Sequence, residues 1–293
     1  LSPEQQELAM SLSIIIPAKN EAATIAQVAG TIQGLYPDAE LIVVDDGSSD
    51  DTADLARSAG ARVVSHPVSL GNGAAVKAGA RAASGETLVF LDADGQHDPT
   101  DIPRLLEQLD QGYDMAVGAR SAGSHANAAR LAANGAYNVI ASWITGYRIP
   151  DLTSGFRAVR ARLFRKFLYL LPNGFSYPTT ITMAFLRAGY PVKFVDIEAK
   201  KRVGKSHIRP LKDGIRFLLI IFKIATLYSP LKLFLPTSAL FFATGVGYYA
   251  YTYFTDNRFT NMSLLLLSAA VIVFLIGLVS EQITALNYSD SSE

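Results

Sequence analysis

Two apolar stretches, Leu231–Phe254 and Met262–Leu286, limit what this chain can fold into more than any other feature of its 293 residues. As helices rising about 1.5 Å per residue, both are long enough to cross a hydrocarbon core of roughly 30 Å. Core helices of this length with no charge at mid-span are rare beside a domain this small, so the pair predicts a transmembrane hairpin. Just ahead of it, Ile208–Tyr228 sets Arg209, Lys212, Arg216 and Lys223 among apolar positions. One side is then basic and the other apolar, as in a helix lying in a membrane interface. Basic residues crowd the stretch from Lys193 to Lys232 against only Asp196, Glu198 and Asp213, while the hairpin turn carries just Arg258. The positive-inside rule then predicts a multi-pass protein of the cell membrane, with its large domain and both termini cytoplasmic.

Ahead of the membrane segments, short β-branched runs alternate with helical stretches. The runs are Leu12–Ile16, Glu40–Val44, Arg62–Ser65, Thr87–Leu91 and Met115–Val117; the helical stretches are Glu21–Leu35, Asp51–Ala59, Gly73–Ala83 and Pro99–Gln111. This is the pattern of a mostly parallel, Rossmann-like sheet wrapped by helices, an α/β fold whose ligands collect at the carboxyl ends of the strands. From about Ser121 to Val203 the alternation fades, and that segment is expected to complete the same domain. The expected organisation is a catalytic domain over 1–207, a juxtamembrane amphipathic segment over 208–230, the hairpin over 231–288 and a cytoplasmic tail over 289–293. A hydrophobic content of 49% excludes disorder, and 26 basic against 26 acidic residues leave no electrostatic case for nucleic acid. With no cysteine, disulfides, thiolate zinc and a cysteine nucleophile are excluded, and a metal must be met by oxygen ligands or the four histidines. Leu1–Met10 is polar and acidic with no basic start and apolar middle, so no signal peptide is expected there.

The strand ends carry the chemistry. The first ends in Ile16-Pro17-Ala18-Lys19-Asn20-Glu21 and the second in Val43-Val44-Asp45-Asp46-Gly47-Ser48-Ser49-Asp50. An acidic pair followed by glycine can accept hydrogen bonds from a nucleobase or ribose at close backbone approach, with Ser49 or Asp50 capping the next helix. The fourth ends in Asp92-Ala93-Asp94-Gly95-Gln96-His97. Two carboxylates two residues apart, delivered by a buried strand, can hold Mg²⁺ or Mn²⁺ bridging a diphosphate. His97 is read here as a structural residue.

Together and in this order, these strand ends, the helix start at Gly71-Asn72-Gly73 and the run Asp151-Leu152-Thr153-Ser154-Gly155-Phe156-Arg157 resemble the family 2 inverting glycosyltransferases over about residues 12 to 210. Within that family they resemble dolichyl-phosphate mannose synthase and the bacterial polyprenyl-phosphate glycosyltransferases. The resemblance implies the GT-A fold of nucleotide-diphosphosugar transferases. It assigns Pro17, Ala18, Glu21 and Asp46 to the nucleoside, and Asp92, Asp94 and Gln96 to metal and diphosphate. Asp94 and Asp151 are its catalytic candidates, Asp151 as base or orienting group, while Arg120, Arg130, Arg202 and Lys205 lie around the acceptor phosphate. Lys205 and His207 depart from the family's usual Glu and Lys in the loop before the membrane segments. Arginine suits a lipid phosphate through its forked donors, and Lys200–Lys205 could also bind anionic headgroups.

The expected reaction moves a hexose from a nucleotide-diphosphate sugar to polyprenyl phosphate with inversion. Thr153-Ser154-Gly155-Phe156-Arg157 favours GDP-mannose, with UDP-glucose and UDP-N-acetylglucosamine left open, and a homo-oligomer is left open too. A processive polysaccharide synthase is the second enzymatic reading, disfavoured because the single tryptophan, Trp143, lies in no Gln-x-x-Arg-Trp run. A non-catalytic membrane scaffold is the third, disfavoured by the intact acidic pair and arginines.

Overall fold

The computed structural model describes residues 12–120, 128–174, 177–198, 222, 226 and 228–289. In chain order these form β1 (Leu12–Ala18), α1 (Ile25–Leu35), β2 (Glu40–Asp45), α2 (Thr52–Ser58), β3 (Arg62–Ser65), α3 (Asn72–Ala82) and β4 (Thr87–Phe90). A 3-10 turn (Pro99–Asp101) runs into α4 (Ile102–Asp110), followed by β5 (Met115–Arg120), α5 (Ala128–Thr145), β6 (Arg157–Arg160) and α6 (Ala161–Lys166). A second such turn (Leu168–Leu170), α7 (Tyr177–Arg187), β7 (Val192–Ile197) and the long helices α8 (Pro230–Asp256) and α9 (Asn261–Ser289) complete the order. The five strands and four helices expected between residues 12 and 120 all form, with ends shifted by a few residues. The chain divides into two compact units, one holding the sheet and the other the two long helices with residues 143–146.

The sheet has seven strands in the order β3-β2-β1-β4-β6-β5-β7. Every residue of β1 is buried, as expected of a strand covered on both faces. One face packs Ile14, Ile16, Val43 and Val89 against Val28 and Ile32 of α1 and Leu105 and Leu109 of α4. On the other, α3 approaches so closely at Gly79 that a Cβ there would meet Ile15, with Val44 at 3.1 Å. Phe90, Phe164 and Tyr177 extend that side as an aromatic cluster.

All neighbouring strands run parallel except β6, which lies antiparallel between β4 and β5 and pairs Arg157 with both Phe90 and Val117. The reversal has a geometric consequence. Parallel strands deliver residues at their carboxyl ends, whereas a reversed strand brings its amino-terminal approach, residues 151–156, to that same edge.

The amino end of α3 is closed by the loop that precedes α7. Gly73 N donates to Gly174 O (3.2 Å), Ala74 N donates to Asn173 O (2.9 Å), and Lys77 Nζ reaches Leu171 O (3.1 Å) and Asn173 Oδ1 (2.5 Å). Gly71 turns with φ +103, and a Cβ on Gly73 would run into the carbonyl oxygen of Pro172.

In the second unit, α8 and α9 pack as an antiparallel hairpin through small residues. A Cβ on Gly277 would lie 2.7 Å from Phe234 Cβ and one on Gly245 would lie 3.1 Å from Leu266, while Ser238 Oγ donates to Ala270 O (2.8 Å). Small residues allow such close backbones where no hydrophobic force drives helices together. Both helices are long and apolar enough to cross a membrane. The amphipathic segment expected at 208–230 lies mostly outside the described residues.

Gly73→Ala is expected to destabilise the sheet unit by about 2 kcal/mol, because the obstacle is backbone and overpacking outweighs alanine's helical advantage of about 1 kcal/mol. At about 2–4 °C per kcal/mol, the melting temperature should fall by roughly 4–8 °C in thermal unfolding; an unchanged transition would count against this close contact.

Candidate active site

Strand β4 ends at Phe90, and buried Leu91 carries the chain into Asp92-Ala93-Asp94. Asp94 is buried, and Gln96 N donates to its Oδ1 (3.1 Å) across the turn at Gly95, where φ is +71. Thr24, at the start of α1, donates through Oγ1 to Ala93 O (2.7 Å) and to Glu21 Oε2 (3.4 Å). It thereby ties the start of α1 to the acidic loop, a role sequence reasoning did not identify. Its only signal was a buried threonine position three residues after Glu21.

The carboxylate of Asp92 lies over Gly155, where a Cβ would come 2.7 and 2.8 Å from its two oxygens. No described residue donates a hydrogen bond to it; His97 Nδ1 is nearest, 3.9 Å from Oδ2. The His97 ring is buried and stacked on Phe156, with centroids 5.2 Å apart. Burial holds its imidazole below the ordinary histidine range, against the opposing pull of Asp92 and Asp94.

Arg120, the last residue of β5, meets Asp151 in a forked pair. Nε donates to Oδ2 (2.7 Å) and Nη2 to Oδ1 (3.0 Å), and Nη2 also reaches Thr153 Oγ1 (2.6 Å). Burial alone would raise the Asp151 carboxyl, but the Arg120 bonds and charge outweigh it and hold the group below the usual carboxylate range. Among the described residues nothing bonds Arg120 Nη1, so the guanidinium is oriented with donors to spare. Asn138 of α5 steadies the approach, donating to Pro150 O (2.5 Å) and accepting from Leu152 N (3.1 Å).

The run from Asp151 to Arg157 is therefore the floor of the site. Asp151 and Thr153 hold Arg120, Gly155 lies under Asp92, and Phe156 lies under His97. Arg157 anchors the floor from behind. It is fully buried, donates to Ser154 O, Pro178 O (3.2 Å) and Thr182 Oγ1 (3.2 Å), and sits over the ring of Tyr177 at 5.5 Å. Tyr177 in turn donates to Gly155 O (3.2 Å).

The expected nucleoside residues gather at the adjoining strand ends. Pro17 and Ala18 close β1 against Val44 and Asp45, and Glu21 N donates to Thr52 Oγ1 (2.9 Å). Asp46 is spent on its own chain, with Oδ1 accepting from His66 Nδ1 (2.8 Å) and Leu70 N (2.8 Å), and Oδ2 from Ser69 Oγ (2.7 Å) and Gly71 N (2.9 Å). These bonds hold its carboxyl below the usual range against the effect of burial. Here Asp46 organises the loop of residues 66–71, which closes on Gly47 so tightly that a Cβ there would lie 2.8 Å from Ser69 N. Asp92, Asp94, Arg120 and Asp151 thus share one edge, with Glu21 and Asp46 beside them. Of the other acceptor residues, Arg202 and Lys205 lie outside the described residues, as does the side chain of Arg130.

Among the described residues no three His, Cys, Asp or Glu side chains come close enough to enclose a metal. A site of one or two carboxylates suits Mg²⁺ or Mn²⁺ completed by phosphate oxygens and water, and an Asp92 carboxylate without a donor fits that role.

Residues 13–169 match the model of glycosyl transferase family 2, and residues 229–286 match the GtrB C-terminal hairpin. The dolichyl-phosphate hexose transferase of Haloferax volcanii is 30% identical over 69% of this chain and 89% of its own length. The polyprenol monophosphomannose synthase of Mycolicibacterium smegmatis is 30% identical over 72% of this chain and 84% of its own. Glucosyl-3-phosphoglycerate synthase of Mycobacterium tuberculosis, solved with Mn²⁺ and UDP-glucose, superposes with a TM-score of 0.59 at 27% identity, covering 75% of this chain and 83% of that one.

Gly155→Ala should push Asp92 off the floor while leaving the fold intact. Misplacement of a group in a site by about 1 Å can cost on the order of a hundredfold, so turnover should fall at least tenfold with a melting temperature near wild type. Normal turnover would mean that Asp92 does not need this seat.

Proposed function

Since the chain belongs to glycosyl transferase family 2, we propose that it moves a hexose from a nucleotide-diphosphate sugar to the phosphate of a polyprenyl lipid, with inversion at the anomeric carbon. The observation that carries this reading is the meeting, at one sheet edge, of an Asp92 to which no described residue donates a hydrogen bond with an Arg120 whose Nη1 no described residue bonds. One feature suits a metal-bound diphosphate and the other a phosphate acceptor. The relatives that act on polyprenyl phosphates support the acceptor, and a hairpin able to cross a membrane would keep the chain where such lipids reside. The basic run from Lys193 to Lys232 favours a cytoplasmic catalytic domain.

Asp92 and Asp94, with Gln96 beside them, would hold Mg²⁺ or Mn²⁺, which supplies neutralising charge for the departing nucleoside diphosphate. Pro17, Ala18, Glu21 and the loop organised by Asp46 would seat the nucleoside. Arg120 would take the acceptor phosphate, joined by Arg130, Arg202 and Lys205. A phosphate monoester has a second pKa of about 6, so at neutral pH most of it is already a dianionic nucleophile. Asp151, engaged on both oxygens and held below the usual range, is a poor proton acceptor, and its task is to orient Arg120. Among donors the Thr153–Arg157 run favours GDP-mannose over UDP-glucose and UDP-N-acetylglucosamine. Incubating the protein with each radiolabelled donor and one polyprenyl phosphate tests this; transfer from GDP-mannose is expected, and absence of lipid-linked sugar with every donor would refute the function.

Asp94→Ala should abolish transfer and Mn²⁺-dependent donor binding together, and near-normal turnover at saturating donor would sink the metal assignment. Asp151→Asn separates orientation from base catalysis. Loss of orientation should raise the acceptor KM about tenfold or more, leave donor affinity unchanged, and keep an acid limb near the phosphate pKa of about 6. A fall in kcat of about a hundredfold or more at unchanged KM would instead mark a general base.

A further inference from the structure

Stacking on Phe156 is a task that any flat apolar ring could perform, so the nitrogen atoms of His97 call for their own account. Its side chain is 3% exposed, its Nδ1 is buried without a hydrogen-bond partner among the described residues, and that atom lies 3.9 Å from Asp92 Oδ2. A buried polar atom without a partner is destabilising, and buried side chains are ordinarily paired. Among the described residues none donates a hydrogen bond to Asp92, and Gly155, which lies beneath the carboxylate, has no side chain to steer it. A carboxylate that binds a cation through one oxygen is held in orientation by a donor on the other, and loss of such an outer partner typically weakens metal binding by about 10–100-fold.

We propose that His97 is a positioning residue for Asp92, its Nδ1–H donating to Oδ2 when the carboxylate carries Mg²⁺ or Mn²⁺. The inference rests on the metal reading above. From 3.9 Å, a shift of about 1 Å in either side chain makes an ordinary hydrogen bond. Phe156 then has a purpose in the floor run. By stacking on the ring it fixes the plane in which Nδ1 points, so donor and carboxylate rest on consecutive residues, Phe156 and Gly155.

The test measures Mn²⁺ binding to the full-length protein in detergent by electron paramagnetic resonance of the free ion, with UDP and with GDP. His97→Phe and His97→Leu both remove the donor, and the phenylalanine keeps the stacking. Each should weaken Mn²⁺ binding about tenfold or more with a melting temperature near wild type. Wild-type affinity in either folded variant overturns the role of His97. Asp92→Asn separates the two levels: if it loses Mn²⁺ while His97→Phe does not, only the His97 proposal fails, and if it binds Mn²⁺ normally the metal reading fails as well. A measurement on the unaltered protein decides the matter even if both variants misfold. Nitrogen-15 NMR of labelled histidines with Mg²⁺ and nucleoside diphosphate should find His97 protonated on Nδ1 and shifted by the cation, whereas a bare Nδ1 overturns the proposal.

Discussion

The reversed strand β6 is the constraint on which the rest of the site depends. Asp92 and Arg120 leave neighbouring regions of the sheet at the ends of β4 and β5, which do not pair with each other. Strand β6 fills the space between them and holds register with both through Arg157, while Gly118 N donates to Phe156 O (2.9 Å). Running antiparallel, it turns seven consecutive residues into a platform under Arg120, Asp92 and His97 alike. Were β6 parallel, those residues would emerge at the opposite edge, and Arg120 would lose both Asp151 and Thr153.

The charges follow from this placement. Arg157 is buried with no carboxylate among the described residues in contact, an arrangement that would be costly in isolation. Its surroundings explain how it persists. Main-chain oxygens of Ser154 and Pro178 accept from Nη2 and Nη1 and the Tyr177 ring covers its face, while Nε is buried with no partner among the described residues; the fields of Asp92 and Asp151 partly offset the burial that disfavours its charge. Arg120 has the opposite balance, with its ion pair outweighing burial and raising its already high pKa. The two arginines thus divide the labour. One is solvent-accessible in part, with no described residue bonding its Nη1; the other is sealed and holds the platform in place.

Much of this was legible in the sequence. Between residues 12 and 120 each strand is a short apolar run and each helix follows a turn, so local pattern and final fold agree. The acidic motifs could be placed because parallel strands present their carboxyl ends to ligands. Strand β6 was not foreseen, because four residues of Arg-Ala-Val-Arg carry no periodicity of their own and are recruited by the gap between β4 and β5; nor was the edge strand β7, which pairs only with β5. Residue roles that depend on crossing the chain were hidden for the same reason. Gly155 is unremarkable until Asp92 lies on it, Asp46 offers its oxygens to the loop of residues 66–71 twenty or more positions away, and Thr24 acts through the main chain of Ala93.

The hairpin has a further consequence in terms of bilayer thickness. Helices of 27 and 29 residues extend about 40 and 43 Å, some 10 Å beyond an average hydrocarbon core of roughly 30 Å. Because the seam fixes Gly245 against Leu266 and Gly277 against Phe234, the two helices cannot shorten their span by sliding past each other. In a bilayer, the excess would be met by tilting the pair as one body or by letting their ends stand in the headgroup layers. A thicker membrane would accommodate more of it, so a hairpin of this length, once inserted, would favour thicker membranes independently of the chemistry at the sheet.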